Sequence, residues 1–166
     1  MSMYYRYLDT PIGELLLAGD EDALRVVAFP EGKRRREPEA DWIWSEKPFA
    51  EACRQLDAYF AGTLKLFDLK LAPAGTPFQL AVLEELRKIP YGTTVSYGEI
   101  ARRIGRPKAM RAVGAANGRN PIPIIIPCHR VIGASGELTG FGGGLPVKEA
   151  LLRLEMEHSR FPHVAR

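Results

Sequence analysis

The chain is poor in the residues that cross-link proteins and hold metals. Its 166 residues include two cysteines and three histidines, and no histidine precedes His129. Two thiols, Cys53 and Cys128, make neither a disulfide framework nor a four-thiolate zinc site. Long apolar runs are also missing. No stretch approaches the ~20 residues a membrane-spanning helix needs. Leu15-Leu16-Leu17-Ala18 is too short for a signal-peptide core and has acidic residues around it. A cytoplasmic protein with no membrane contact is therefore expected. Internal repeats are absent. Gly140-Phe141-Gly142-Gly143-Gly144-Leu145 has leucine in the sixth position, and no strand leads into it, so it is not a dinucleotide fingerprint. Neither a cofactor nor a metal is expected.

What remains is the composition of a globular chain, 46% hydrophobic and 26% charged, long enough for one ordinary domain or two small ones. The net charge of +3 is unevenly spread. Between Gly98 and Arg130, seven basic residues face Glu99 alone, so that segment carries +6 and the remainder −3. Such a segment suits an anionic partner or is a solvated cationic face.

The N-terminal third predicts two hairpins in a small meander, over Met3–Leu8, Glu14–Ala18 and Ala23–Phe29, separated by turn clusters. Glu31–Pro38 reads as a charged surface loop, whose Lys33–Arg36 run either touches phosphate or, as charge runs usually do, is simply solvated. Pro48 suits the first turn of a helix to about Ala61, with Phe49, Cys53, Leu56 and Phe60 at helical spacing. Cys53 on that face is expected to be a small core residue. Leu64–Leu71 is a candidate strand. Residues 72–77 read as a linker between an N-terminal sheet-and-helix domain, 1–71, and a C-terminal domain, 78–166.

The second half predicts helices. Thr76-Pro77-Phe78-Gln79 has capping-box spacing, and Val82, Leu86 and Ile89 continue the face of Phe78 until Pro90-Tyr91-Gly92. Ser96-Tyr97-Gly98-Glu99 has the same spacing and opens a short helix to about Ile104. After Gly105, a third helix runs from Pro107 to about Ala116. Two short helices across a tight glycine turn form a helix-turn-helix pattern. The second carries Lys108 and Arg111 among small Ala109, Ala112, Ala115 and Ala116, which suits close approach to a surface or core packing. A last helix begins at Pro146, with Val147, Ala150, Leu151 and Leu154 as its apolar stripe. The fold class is thus mixed α/β (α+β). His158 and His163 read as solvent-exposed.

The chemistry is concentrated in Ile124-Ile125-Ile126-Pro127-Cys128-His129-Arg130-Val131. A thiol at the end of an apolar run, beside an imidazole, is a candidate nucleophile with a candidate base. Adjacent Cys and His are often merely structural. Here a basic helix-turn-helix precedes the pair and a glycine-rich loop follows it. On the last helix, Lys148 and Glu155 border the apolar stripe. Glu155 is either half of a rim ion pair or the carboxylate that orients His129.

The run Asn120–Val131 strongly resembles the active-site signature of the O6-alkylguanine-DNA alkyltransferases (methylated-DNA–protein-cysteine methyltransferases). The likeness extends from about Thr76 to Glu155 and includes Pro90–Tyr97 and Arg111-Ala112-Val113-Gly114. The N-terminal region matches in layout alone, a ribonuclease H-like sheet and helix. The resemblance implies direct repair of O6-alkylguanine, and of O4-methylthymine, in double-stranded DNA, by a monomer. The alkyl group passes irreversibly to Cys128, once per molecule. It implies that His129 takes the thiol proton through a water while Glu155 holds the imidazole. Tyr97 rotates the 3′ phosphate and protonates the departing oxygen. Arg111 fills the space left by a flipped base. The slim face around Ala112, with Lys108 and Arg119 nearby, enters the minor groove. Asn120 braces the turn after the recognition helix. Pro123, Val131, Phe141, Gly142, Gly143 and Lys148 surround the base, with the Cys128 carbonyl and backbone near Val131 reading its edge. Phe141 and Gly142 stand where other members often carry Tyr and Ser, which would broaden the accepted lesions. Two rival functions are a non-catalytic sensor of alkylated bases, which would lack the cysteine, and a Cys-His hydrolase, which would turn over repeatedly.

Overall fold

A computed structural model describes the backbone of residues 2–164 and the side chains through Ser159. Strands β1 (Tyr4–Thr10), β2 (Gly13–Gly19) and β3 (Leu24–Ala28) form the expected antiparallel meander. Thr10 closes the first hairpin by donating its hydroxyl to Gly13 O at 2.6 Å. The central strand β2 is covered on both faces. Leu15 and Leu17 point into the main core, and Leu16 and Ala18 lie under Tyr5, Tyr7 and Trp42. That is why Leu15–Ala18 is a continuous apolar run rather than an alternating one.

The sheet then departs from a pure meander. A two-residue strand, β4 (Ile43–Trp44), pairs parallel with β1, giving the order β3-β2-β1-β4. The segment Leu64–Leu71 forms no strand. Its one bridge joins Leu71 to Leu24, and Leu66 is 80% exposed. The segment is held instead by Leu24 N–H to Lys70 O and Ala72 N–H to Leu24 O, both 2.9 Å, at its far end, and by a reciprocal pair between the Asp68 backbone and the Gln55 side chain.

After a 3-10 turn at Lys47–Phe49 comes helix α1 (Ala50–Phe60). Its buried face is rotated from the expected one. Ala52, Cys53, Gln55, Leu56 and Tyr59 are buried, while Phe60 is only partly so. Helix α2 (Pro77–Leu86) starts on a complete capping box. Gln79 N–H donates to Thr76 Oγ1 at 3.1 Å and Thr76 N–H to Gln79 Oε1 at 2.9 Å. Helix α3 (Tyr97–Arg103) has half of one. Ser96 Oγ accepts from Glu99 N–H at 3.1 Å, but the Glu99 side chain turns to Arg102 and Arg103 instead.

Helix α4 spans Met110–Gly118, so Pro107 and Lys108 belong to the turn before it, and Asn117 and Gly118 form its last turn. A short strand β5 (Val95–Ser96) pairs parallel with β6 (Val131–Ile132), tying the start of α3 to the segment after Cys128. Helix α5 (Leu145–Val164) completes the chain. Ala150 is exposed rather than part of its buried stripe. His158 is part of α5 and not exposed. Its Nδ1 lies 2.8 Å from Leu154 O and its ring covers Gly62. The side chain of His163 lies outside the described residues.

One apolar core runs through both halves of the chain. It joins Leu15, Leu17 and Phe29 of the sheet region with Leu56 and Tyr59 of α1, Val82 and Leu86 of α2, and Ile122 to Ile126. Cys128 is part of this cluster.

Candidate active site

The isoleucine run is not a strand. Ile124 takes a positive φ of 74°, and Ile126 N–H turns back to Ile122 O at 2.9 Å. For a β-branched residue that backbone costs on the order of 1–3 kcal/mol and must be held by its surroundings. The surroundings are complete burial of Ile122, Ile124 and Ile126, and the side chain of Asn120. Asn120 Nδ2 donates to Ile126 O at 2.8 Å, and its Oδ1 accepts Ile122 N–H at 3.0 Å.

This turn delivers the 3-10 turn Cys128–Arg130. Cys128 is 4% exposed. Burial pushes its thiol up to about 11, against the lowering effects of Asn120 and Lys148. At neutral pH it is a thiol that needs a base.

The next residue, His129, carries an imidazole whose orientation is fixed. His129 Nε2 lies 2.6 Å from Glu155 Oε2, both side chains being buried. The same oxygen accepts from Tyr59 OH at 2.6 Å and Arg130 Nη2 at 3.0 Å. Glu155 Oε1 accepts from Arg130 Nε at 2.8 Å and from Gly92 N–H at 3.2 Å. Burial alone would raise the pKa of Glu155, but the donors on His129 and Arg130 outweigh it and hold the carboxyl below its ordinary range. Burial lowers the pKa of His129, and Glu155 only partly offsets that. The consistent state is an anionic Glu155 neutralised by Arg130, beside a neutral imidazole whose Nε2–H donates to it. His129 Nδ1 then carries the lone pair, and it has no partner among the described residues.

Lys148 Nζ is buried and donates to Val131 O at 2.6 Å and Thr139 O at 2.8 Å. Tyr97 OH lies 3.3 Å from Thr139 O and 3.1 Å from its Oγ1, and burial raises its pKa, keeping the phenol protonated. Lys148 and Tyr97 therefore converge on one residue of the segment before the glycine-rich loop.

Cys128 opens into a cavity of about 230 Å³. Asn120, Pro123, Phe141 and Gly142 line it, together with Asn117 and, from the N-terminal half, Phe29 and Arg34. Val131, Gly143 and Lys148 do not line it. A wider groove of about 710 Å³ adjoins it between Gly114–Arg119 and the loop Gly140–Leu145. Beside that groove α4 exposes Arg111 and Ala112, with Lys108 exposed before the helix and Arg119 after it. Among the described residues no group of three or more His, Cys, Asp or Glu could hold a metal, and no helix is long and apolar enough to cross a membrane.

Four neighbours of the site escaped sequence reasoning. Tyr59 and Arg130 both donate to Glu155. Asn117 Nδ2 donates to Cys128 O at 3.3 Å. Arg34 reaches the cavity from a loop read as solvated. Arg130 lies inside the Asn120–Val131 signature and Asn117 just before it, whereas Tyr59 and Arg34 left no local trace.

The comparisons with known proteins fit this geometry. The ribonuclease-like domain of 6-O-methylguanine DNA methyltransferase matches residues 3–73, and the DNA-binding domain of the same family matches residues 77–157. A methylated-DNA–protein-cysteine methyltransferase of Methanosarcina acetivorans is 60% identical, covering 92% of this chain and 98% of its own. A protein of the same name from Mycobacterium tuberculosis is 53% identical, covering 96% of this chain and 95% of its own. The crystal structure of Mycobacterium tuberculosis OGT in complex with DNA superposes with a TM-score of 0.88 at 52% identity, covering 93% of this chain and 94% of that one. The chain belongs to the 6-O-methylguanine DNA methyltransferase family.

Proposed function

We propose that the protein repairs alkylated DNA by one direct transfer, in which Cys128 takes the alkyl group from O6 of guanine or O4 of thymine. The observation that carries this reading is a buried thiol lining a cavity, followed in sequence by an oriented neutral imidazole, near a helix that exposes Arg111 and is flanked by exposed Lys108 and Arg119. Family membership supports it.

The steps follow from the site. Sγ attacks the alkyl carbon, the S–C bond forms and the C–O bond breaks. The thiol proton passes through a water to His129 Nδ1, the one ring nitrogen free to accept it. Glu155 stabilises the imidazolium that results. Tyr97, still protonated, supplies the proton to the departing oxygen. The product is a thioether, which water does not cleave, so each chain reacts once.

DNA enters by the face that carries Arg111. That side chain fills the stack when the damaged base is flipped, Lys108 and Arg119 meet phosphates, and Ala112 lets the helix lie close in the minor groove. Asn120 and Pro123 form the inner wall for the base, the backbone of Phe141, Gly142 and Gly143 covers it, and Lys148 steadies the segment at Val131 and Thr139. The protein acts as a monomer on double-stranded DNA. Its compartment is the cytoplasm, where thiols stay reduced. The division into 1–71, a linker at 72–77 and 78–166 belongs to the same reading.

The test is incubation with a duplex carrying radiolabelled O6-methylguanine. One label per chain is expected, on Cys128, and none on Cys128→Ala. Turnover beyond one label indicates a hydrolase, and binding without transfer indicates a sensor. Either outcome refutes the reading.

A further inference from the structure

We infer that Arg34, from the N-terminal half, is the outer wall of the alkyl-binding pocket and limits the size of the group that Cys128 accepts. The inference rests on the proposed alkyl transfer and adds a specificity residue to it.

Three observations carry it. First, Arg34 is a strap between two parts of the site. Its Nε donates to Gly118 O, at the end of α4, at 2.9 Å, and its backbone N–H donates to Gly142 O at 3.3 Å. Second, the glycine-rich loop is shaped to receive that strap. A Cβ on Gly142 would stand 2.5 Å from Arg34 Cγ and 2.8 Å from its Cβ, closer than carbon atoms come. A Cβ on Gly32 would strike Gly142 O in turn. Phe29 packs on Phe141 with ring centroids 5.4 Å apart, holding the same two segments together. Third, Arg34 lines both the Cys128 cavity and the wider groove beside it. Lys33, Gly118, Arg119, Phe141 and Gly142 also line both spaces, of about 230 Å³ and about 710 Å³, and Arg34 is the residue hydrogen-bonded to both Gly118 O and Gly142 O at their shared border.

The glycines of the loop therefore do not leave the pocket open. The room they vacate is filled by a side chain from a different part of the chain. Arg34 has a long side chain anchored by one side-chain hydrogen bond to a neutral carbonyl, a weak contact that a ligand can displace. A small adduct fits behind it, whereas a bulky one must displace it.

The test uses free bases, which need no duplex and so remove any effect of Arg34 on DNA binding. Rates of alkyl transfer to the full chain are measured with O6-methylguanine and with O6-benzylguanine. Arg34→Ala is expected to raise the benzyl rate about tenfold and to change the methyl rate less than about threefold. A benzyl-to-methyl ratio within about twofold of wild type, with either rate moving in step with the other, overturns the inference. Gly142→Ala supplies a second arm. It should change the benzyl rate more in the wild-type chain than in Arg34→Gly, which removes both Arg34 carbons and leaves Gly118 O, at 3.9 Å, as the nearest atom to the new Cβ. Equal effects in both backgrounds also overturn it. A wild-type chain that accepts neither group refutes the alkyl-transfer reading, and this inference with it.

Discussion

Glu155 accepts hydrogen bonds from four residues on three separate stretches of chain, and it is almost fully buried. A carboxylate there is tolerable only because Arg130 supplies a full opposite charge through two nitrogens. Glu155→Gln leaves Arg130 buried without its counter-charge, and a loss of about 3–5 kcal/mol is expected in denaturant unfolding. The wild-type protein should also carry a pH signature. The native pKa of Glu155 is depressed, so its contribution is complete above the unfolded value of about 4.3 and decays as pH falls below it. Unfolding free energy measured from pH 6 down to 3 should fall, and Glu155→Gln should remove that part of the slope. The spacing of Lys148, Leu151 and Glu155 showed that both charges border one stripe. It did not show that the stripe is the wall of the site, because Tyr59 and Gly92 arrive from distant sequence.

Among the elements, α4 is the one whose two faces have separate duties. Val113, Ala116 and Asn117 are buried, and Arg111, Ala112 and Ala115 are exposed. Arg111 lines neither the Cys128 cavity nor the groove beside it. Arg111→Ala should slow repair of a methylated duplex by tenfold or more, an order-of-magnitude figure for losing a few kcal/mol of unstacking support. It should leave the reaction with free O6-benzylguanine within about twofold. Single-turnover rates on the two substrates decide it, and equal losses would remove Arg111 from the flipping step. Elements governed by local rules were the most legible in the sequence. Thr76 and Gln79 declare the start of α2 because both partners lie within one turn. Ser96 and Glu99 have the same spacing, but Glu99 had better partners in Arg102 and Arg103. Pro107 suggested a helix start three residues before the structure makes one, at Met110.

Across the whole molecule, α1 does more than cover the sheet. Tyr59 carries its hydroxyl from the N-terminal half to Glu155, and Arg34 carries another donor to Gly118. Tyr59→Phe keeps the ring and removes one hydrogen bond to a charged acceptor. A destabilisation of about 1.5–3 kcal/mol is expected by thermal or denaturant unfolding. No change in stability would mean that this bond across the two halves contributes nothing. Helical spacing placed Phe60 rather than Tyr59 on the buried face of α1, and it offered no reason to place a tyrosine against a carboxylate 96 positions away. The parallel strand β4 and the unpaired Leu64–Leu71 were illegible for a related reason. Their fate depends on which neighbour the tertiary fold supplies, not on their own alternation.

The depth of Cys128 has a consequence for its side reactions. Thiolates, not thiols, react with peroxides and electrophiles, and access governs the rest. A group held protonated and 4% exposed offers neither condition. A molecule that can react only once must survive every encounter except the right one. The burial that raises the thiol pKa of Cys128 is also its protection, because the same walls that keep the proton on the sulfur keep stray reagents off it.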